Sequence, residues 1–302
     1  MPTASTLHYA TQCFEGMKLY RGYDNKLRIF RPNLNCNRML RSSTRIALPG
    51  FAPAELQKLI VKLCAVDGPK WLPKNNPGTF LYLRPAMIAN GATLGVQKPA
   101  QALLFVLLTC FPNFETKFIP ASLPANGHDP TDVQLPSKTK PGMKLLASQD
   151  DTCRAWPGGF GHAKVGANYG PTLVAQGEAR DRGYDQVLWL FGEDAHVTEA
   201  GASNFFVMWK PKNGGKIQLV TAPLTDNMIL DGITRRSVLE MARERLGDEI
   251  EVLERRYTIH EIVEAVEEGR IVEAFGAGTA VSVFLFFVFT GEGSFFIFRS
   301  ES

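Results

Sequence analysis

One lysine, Lys164, lies among five glycines in the segment GGFGHAKVGANYGPT, which spans residues 158–172. Glycine adopts positive φ at low cost and lets the chain approach a bulky ligand closely. A lysine amine presented on such a turn can form a Schiff base with a carbonyl compound. Surface lysines on loops are common, so this segment alone leaves a solvated side chain as the alternative. A nucleophilic role for Lys164 therefore depends on the motifs around it.

The composition is that of a globular protein. Its 302 residues, 45% hydrophobic and 21% charged, are enough for two domains with separate cores. The net charge is +3 and the basic residues are scattered, so we expect neither nucleic acid nor a membrane as a partner. Five widely spaced cysteines and no secretory signal indicate an intracellular protein, either cytoplasmic or mitochondrial.

Several common types of site are disfavoured by motif spacing. The five histidines show neither HxxxH nor HExxH spacing, and we expect no metal site. No GxSxG elbow and no P-loop occur. The stretch GAGTA at residues 276–280 lacks the last glycine of a dinucleotide fingerprint, and by itself it is compatible with a simple tight turn.

Hydrophobic periodicity predicts helices and strands that alternate irregularly, without the repeated βαβ order of a doubly wound sheet. Helices are predicted over residues 33–45, 54–66, 173–179, 234–246 and 259–268. Strands are predicted over residues 27–30, 80–88, 102–109, 187–191, 205–209, 217–220 and 271–275. Residues 110–142 hold six prolines and no sustained periodicity, which is typical of a linker or insertion. We therefore predict a small N-terminal domain over 1–109, a linker over 110–142 and a large domain over 143–302.

The lysine segment resembles that of the branched-chain amino-acid aminotransferases, which are pyridoxal phosphate enzymes of fold type IV. Further matching stretches follow in the family's order, and they cover residues 7–109 and 143–280 approximately. They are HYATQCFEGMKLYRG, FRPNLNCNRMLRS, LYLRPAMIANG, VTEAGASNFFVMW, DGITRR and GAGTA. The resemblance implies an α+β (mixed α/β) fold with a smaller N-terminal α/β domain and a larger, mixed β-barrel-like C-terminal domain.

The resemblance also implies a cofactor, pyridoxal 5'-phosphate, and a set of residues that bind it. This cofactor needs a lysine for its aldehyde, a carboxylate at its pyridine nitrogen and several donors for its phosphate. By the resemblance Lys164 is the catalytic lysine, Glu199 is the carboxylate, and Tyr169 hydrogen-bonds the ring hydroxyl oxygen. The expected phosphate ligands are Arg38, the backbone amides of Ile233 and Thr234, and Thr279. The free N–H groups at the start of a helix suit this task.

The implied activity is transfer of the amino group of leucine, isoleucine or valine to 2-oxoglutarate by a homodimer. Two other fold type IV enzymes, D-amino-acid aminotransferase and aminodeoxychorismate lyase, remain alternatives, as does a truncated product without activity. The expected substrate-binding residues are Tyr9, Phe14, Tyr82, Arg84 and Ala280.

The C-terminal tail departs from the family. After Ala280 the resemblance ends, and the last 22 residues hold seven of the 20 phenylalanines. An uncharged, phenylalanine-rich run without proline is prone to aggregate when it has no partner strand, and it is too short to span a membrane. We expect a divergent or truncated large domain, low solubility and weak cofactor retention.

Overall fold

A computed structural model describes residues 2–74, 78–111, 143–279, 283–291 and 294–297, the last two ranges through their backbone. Within these ranges the chain forms six α-helices and fourteen strands in two sheets. The helices are α1 (Ser5–Tyr9), α2 (Pro32–Arg45), α3 (Pro53–Trp71), α4 (Leu173–Asp181), α5 (Ile233–Leu246) and α6 (Ile259–Glu267). The mixed α and β class predicted from the sequence is confirmed.

The first sheet is antiparallel and comes from the N-terminal part of the chain. Its strands are β1 (Gln12–Phe14), β2 (Met17–Arg21), β3 (Leu27–Ile29), β4 (Phe80–Ala89) and β5 (Ala102–Phe111). Both β1 and β2 pair with β4, so the chain between them, Glu15 and Gly16, lies in the middle of the sheet. Helices α2 and α3 bury Met39, Leu56 and Ile60 against this sheet.

The second sheet has nine strands and comes from the C-terminal part. Its strands are β6 (Met143–Ala147), β7 (Gln186–Phe191), β8 (His196–Ala200), β9 (Ser203–Trp209), β10 (Ile217–Thr221), β11 (Ile250–Glu254), β12 (Ile271–Ala277), β13 (Val283–Gly291) and β14 (Ser294–Ile297). Starting from β9, successive pairings run through β12, β13, β6, β7 and β8 and return to β9. This curling of the sheet agrees with the predicted barrel-like domain.

The predicted elements were found, with boundaries shifted by a few residues at most ends. Helix α3 continues past the predicted end to Trp71, and Gly68 allows this turn to pack closely on Leu19 and Leu27. Strand β5 likewise continues past its predicted end, to Phe111. Strands β1, β2, β6, β8 and β11 and helix α1, each of five residues or fewer, were not among the elements predicted from periodicity.

The rest of the predicted linker, residues 112–142, lies outside the described residues, as do Ala280 and the end of the tail. The division into domains stays a prediction. Of the tail, the backbone of β13 pairs with both β12 and β6. No helix in the described ranges is both long enough and apolar enough to cross a membrane. Nor do His, Cys, Asp or Glu side chains in these ranges form a group able to hold a metal ion.

Candidate active site

The segment around Lys164 is held by the first sheet, although it follows β6 in the chain. Ala163 and Val165 are buried in the core beneath α2 and α3. The backbone N–H of Lys164 donates to Ser42 Oγ of α2 at 2.8 Å, and its carbonyl accepts from the N–H of Phe14 at 3.1 Å. Because its neighbours on both sides enter the core, the Lys164 side chain is directed to the opposite side.

On that side lies a cavity of about 450 Å³ between the two sheets. All the predicted cofactor-binding residues line it, and so do Phe14, Tyr82 and Arg84 from the predicted substrate-binding set. Tyr9 is not among its lining residues: it is the last residue of α1, and its hydroxyl donates to the carbonyl of Leu94. Ala280, the remaining predicted residue, lies outside the described part of the chain.

Lys164 Nζ lies in an aromatic and cationic environment. It donates to Tyr169 Oη at 3.3 Å and lies 5.0 Å from the centre of the Phe14 ring. Burial, followed by the charge of Arg38, lowers the pKa of Lys164 from 10.5 to about 8. About a tenth of this amine is therefore neutral at pH 7, far more than for a solvated lysine.

Glu199 presents its carboxylate from the end of β8, where a tight hairpin leads into β9. Its Oε1 accepts from Asn204 Nδ2 at 3.0 Å and from the N–H of Leu230 at 3.1 Å. Its Oε2 lies 2.7 Å from Nη2 of Arg154. Burial raises the pKa of Glu199, while the charge of Arg154 and the Leu230 amide act to lower it. Both carboxylate oxygens thus have partners, and the partner of Oε2 is the mostly buried Arg154.

Arg38 reaches the cavity from α2 and is almost fully buried. Its Nε and Nη2 form a two-pronged ion pair with Glu15 at 2.7 and 2.8 Å, and Nη1 donates to the carbonyl of Asp231 at 2.8 Å. A guanidinium carries five N–H groups, so two remain without a partner among the described residues. Burial alone would raise the pKa of Glu15, but the charge and hydrogen bonds of Arg38 hold it below its ordinary value. Arg38 can therefore still bind an anion although Glu15 has neutralised its charge.

Helix α5 begins at the same end of the cavity. Gly232 precedes its first turn and no side chain caps this end within the described residues. The backbone N–H groups of Ile233 and Thr234 therefore have no intrahelical partner, and both residues line the cavity opposite Thr279. A Cβ at Gly232 would collide with Oδ1 of Asn204, so only glycine allows this close approach. These donors and Arg38 together form a site suited to a phosphate.

The wall formed by β1 and β4 is aromatic with one cation. Arg84 Nη2 donates to Tyr82 Oη at 3.1 Å, and the guanidinium carbon lies 4.7 Å from the centre of the Phe14 ring. Nε of Arg84 is buried and has no hydrogen-bond partner among the described residues. This wall therefore offers apolar contact together with a donor for a carboxylate.

Three residues important to this geometry were missed from the sequence: Glu15, Ser42 and Arg154. Each acts across the fold, on Arg38, Lys164 and Glu199 respectively. Glu15 lies inside a matched stretch, CFEGM, and could have been singled out as a charged residue between two strands. Ser42 also lies in a matched stretch, FRPNLNCNRMLRS, but the spacing of residues could not predict the contacts of Ser42 and Arg154, because their partners lie 122 and 45 residues away in the chain.

Comparison with known proteins gives a consistent family relationship. The family model described as amino-transferase class IV matches residues 12–268. The mitochondrial branched-chain-amino-acid aminotransferase of Bos taurus is 44% identical over 282 residues, which is 93% of this chain and 65% of that protein. This chain thus spans slightly less than two thirds of the length of that relative.

Solved structures share the fold. A branched-chain aminotransferase from Thermoproteus uzoniensis, solved with norvaline, superposes with a TM-score of 0.72 at 24% identity, covering 100% of this chain and 84% of that one. The branched-chain amino acid aminotransferase from Escherichia coli has a TM-score of 0.68 at 24% identity, covering 94% of this chain and 78% of that one.

Proposed function

Since this chain belongs to the class IV aminotransferase family, we propose that it transfers the amino group of leucine, isoleucine or valine to 2-oxoglutarate, with pyridoxal 5'-phosphate as cofactor. One observation carries the proposal: a lysine amine, a buried carboxylate and a cluster of phosphate donors converge on one cavity. These are the three groups that this cofactor requires. Relatives named branched-chain aminotransferases support the substrate class.

The residues of the cavity fit pyridoxal phosphate in chemistry and in space. Arg38, the amides of Ile233 and Thr234, and the Thr279 hydroxyl would hold the phosphate. Glu199 would pair with the ring nitrogen, and Tyr169 would hydrogen-bond the ring oxygen. Cβ atoms at Gly16 and Gly232 would collide with Tyr82 and Asn204, so glycine at these two positions keeps the cavity open.

The lysine amine is the proton carrier in this proposal. When bound, the cofactor withdraws electrons from the substrate's α-carbon, which makes its proton removable. A pKa of about 8 lets Lys164 Nζ both accept and release a proton near neutral pH. Tyr169 Oη, at 3.3 Å, and the ring of Phe14 hold this amine on one side of the cavity.

The aromatic wall fits a branched aliphatic side chain, with Phe14 and Tyr82 as contacts. One methylene more or less in such a pocket changes binding by only about 1–3 kcal/mol, so all three amino acids should be accepted. Arg84, which lines the cavity, would bind a carboxylate of the substrates. The roles of Tyr9 and Ala280 in substrate binding remain predictions from the sequence.

The proposal also includes a homodimer and an intracellular location, cytosolic or mitochondrial as in the relatives' names.

The cofactor linkage is tested by borohydride treatment of the protein incubated with pyridoxal phosphate, followed by digestion and peptide mapping. The label should be on Lys164, and Lys164→Ala should lose both the label and almost all transamination. Lys18→Met is the matched control, because Lys18 is also part-buried and burial lowers its pKa. Its removal should leave the label and the activity in place. A label on any other lysine would contradict the assignment.

The substrate class is tested by amino transfer to 2-oxoglutarate from L-leucine, L-isoleucine, L-valine and D-alanine. Activity with all three branched-chain amino acids is expected. A strict preference for D-alanine would favour a D-amino-acid aminotransferase instead, and lyase activity on aminodeoxychorismate would favour the other fold type IV alternative. If the protein binds no cofactor at all, the interpretation as a product without activity stands.

A further inference from the structure

Arg154 is the cation that forms an ion pair with Glu199 in the described part of the chain. The side chain of Arg154 is 10% exposed and that of Glu199 is 3% exposed, and the ion pair between them is 2.7 Å long. A second N–H of Arg154, on Nη1, donates to the carbonyl of Met228 at 3.1 Å. The guanidinium is thus fixed at two points, one on the carboxylate and one on the chain that leads into α5.

We propose that Arg154 is a positioning residue which keeps Glu199 in its anionic form, aimed into the cavity at the ring nitrogen of the cofactor. This inference rests on the proposed function, because it assigns a role within the same site. Among the described residues, Arg154 forms an ion pair with Glu199, and no hydrogen bond or ion pair joins it to the lysine amine or to the predicted phosphate ligands. Its effect on the reaction is therefore exerted through Glu199.

The physical need for such a residue follows from the burial of Glu199. A carboxyl group that is removed from water takes up a proton unless a positive charge or several donors compensate. The donors that face Glu199 are the amide of Asn204 and the backbone N–H of Leu230. The cations that act on it are Arg154, then Lys164 and Arg235. In the holoenzyme Lys164 would hold the cofactor, so Arg154 would be the principal cation that still acts on Glu199.

A protonated Glu199 would no longer stabilise a positive charge on the ring nitrogen. The cofactor would still be held by its phosphate donors and by Lys164, but it would withdraw electrons less effectively. Loss of Arg154 should therefore affect turnover more than binding. Burial raises the pKa of Glu199 already, so removing its closest cation should raise that pKa further.

The test compares Arg154→Met, Arg154→Lys and Glu199→Gln as holoenzymes, with absorption spectra of the bound cofactor recorded against pH. We expect kcat of Arg154→Met to fall at least about tenfold with KM changed less than about threefold, since one lost electrostatic partner can cost on the order of 10² in rate. The pH midpoint of its spectrum should approach that of Glu199→Gln. Arg154→Lys should restore a midpoint near the wild type. A wild-type spectral midpoint in Arg154→Met would overturn the proposal.

Arg235→Met is the matched control. Arg235 is more deeply buried than Arg154, and its Nη2 contacts one carboxylate, Glu254 at 2.8 Å, and one carbonyl, that of Ala222 at 2.8 Å. Its removal should destabilise the protein without a comparable change in the spectrum. The charge of Arg235 acts on Glu199 less than that of Arg154 does. An equal spectral change in this variant would therefore overturn the special role of the ion pair between Arg154 and Glu199.

A measurement without cofactor separates this inference from the proposed function. In the apo-protein, Arg154→Met should lower Tm markedly, because it leaves an unpaired buried carboxylate. Adding Glu199→Gln should recover part of that loss, and this double variant also covers the case in which Arg154→Met fails to fold. If the double variant is no more stable than Arg154→Met, the pairing is not what Arg154 provides. Wild-type protein that binds no pyridoxal phosphate would instead reject the proposed function.

Discussion

Ser42 Oγ, on α2 of the first sheet, accepts a hydrogen bond of 2.8 Å from the backbone N–H of Lys164. Ser42 is fully buried, so no water can take its place. We expect Ser42→Ala to destabilise the protein by about 1–3 kcal/mol, because it leaves a buried N–H without an acceptor. Urea unfolding measures this loss. Release of pyridoxal phosphate on dialysis should also be faster, since the backbone of Lys164 loses one of its two hydrogen bonds.

Ser43→Ala is the control for this prediction. Ser43 is the next residue of α2 and is equally buried, but its hydroxyl donates to the carbonyl of Leu40 within the same helix. Its loss should cost less than Ser42→Ala and should leave cofactor release unchanged. Equal cofactor release in the two variants would show that the contact between Ser42 and Lys164 does not anchor the segment.

The buried amine of Lys164 should make the apo-protein less stable below pH 8. Its pKa is about 8 in the folded protein and 10.5 ordinarily, so the unfolded chain binds more protons between these values. Stability therefore rises with pH across that window. Lys164→Met removes the cost and should stabilise the apo-protein at pH 7 by at most about 3 kcal/mol. Thermal unfolding at pH 7 and pH 10.5 measures it, and an advantage that does not shrink at the higher pH would contradict the low pKa.

Gly232→Ala should disturb two parts of the site together. The new Cβ would collide with Oδ1 of Asn204, whose amide holds Glu199. We expect cofactor affinity to fall at least about tenfold, which equals about 1.4 kcal/mol. Gly177→Ala is the control, because Gly177 lies inside α4 with open space around it. It should raise stability by about 0.5–1 kcal/mol and leave affinity unchanged. Fluorescence titration with pyridoxal phosphate compares the two variants.

Arg38→Gln should leave Glu15 buried without its cation. Breaking such a pair costs about 3–5 kcal/mol at neutral pH. In the wild type Arg38 holds the pKa of Glu15 below its ordinary value, so the stability from this pair is lost only as the pH falls through that low pKa. In the variant, burial raises the pKa of Glu15, and the deficit should shrink as the pH falls towards about 4. Adding Glu15→Gln should recover much of the loss at pH 7, and a constant deficit from pH 7 to pH 4 would argue against a buried carboxylate.

The helices and long strands could be predicted because their apolar residues repeat at regular spacing. Strands β8 and β11 have five residues each and were not predicted, although β10, of the same length, was. The boundaries shifted for local reasons, as at the end of α3, where packing of Gly68 on β2 and β3 extends the helix. The tail was predicted to be divergent, and within the described residues the backbone pairings of β13 and β14 are what the structure shows of it.

By itself the sequence determined the mixed fold class, the family and the identity of Lys164, Glu199 and Arg38 as candidate site residues. These depend on local patterns: glycines around a lysine, a carboxylate before an apolar strand, and motifs in a fixed order. Only the tertiary structure decided which charges meet. Glu15 and Arg154 lie far apart in the sequence. Each nevertheless pairs with an oppositely charged residue that lines the same cavity, Arg38 and Glu199 respectively. Such pairing depends on burial and on distances of 3 Å or less between charged atoms, and the spacing of residues along the chain determines neither of them.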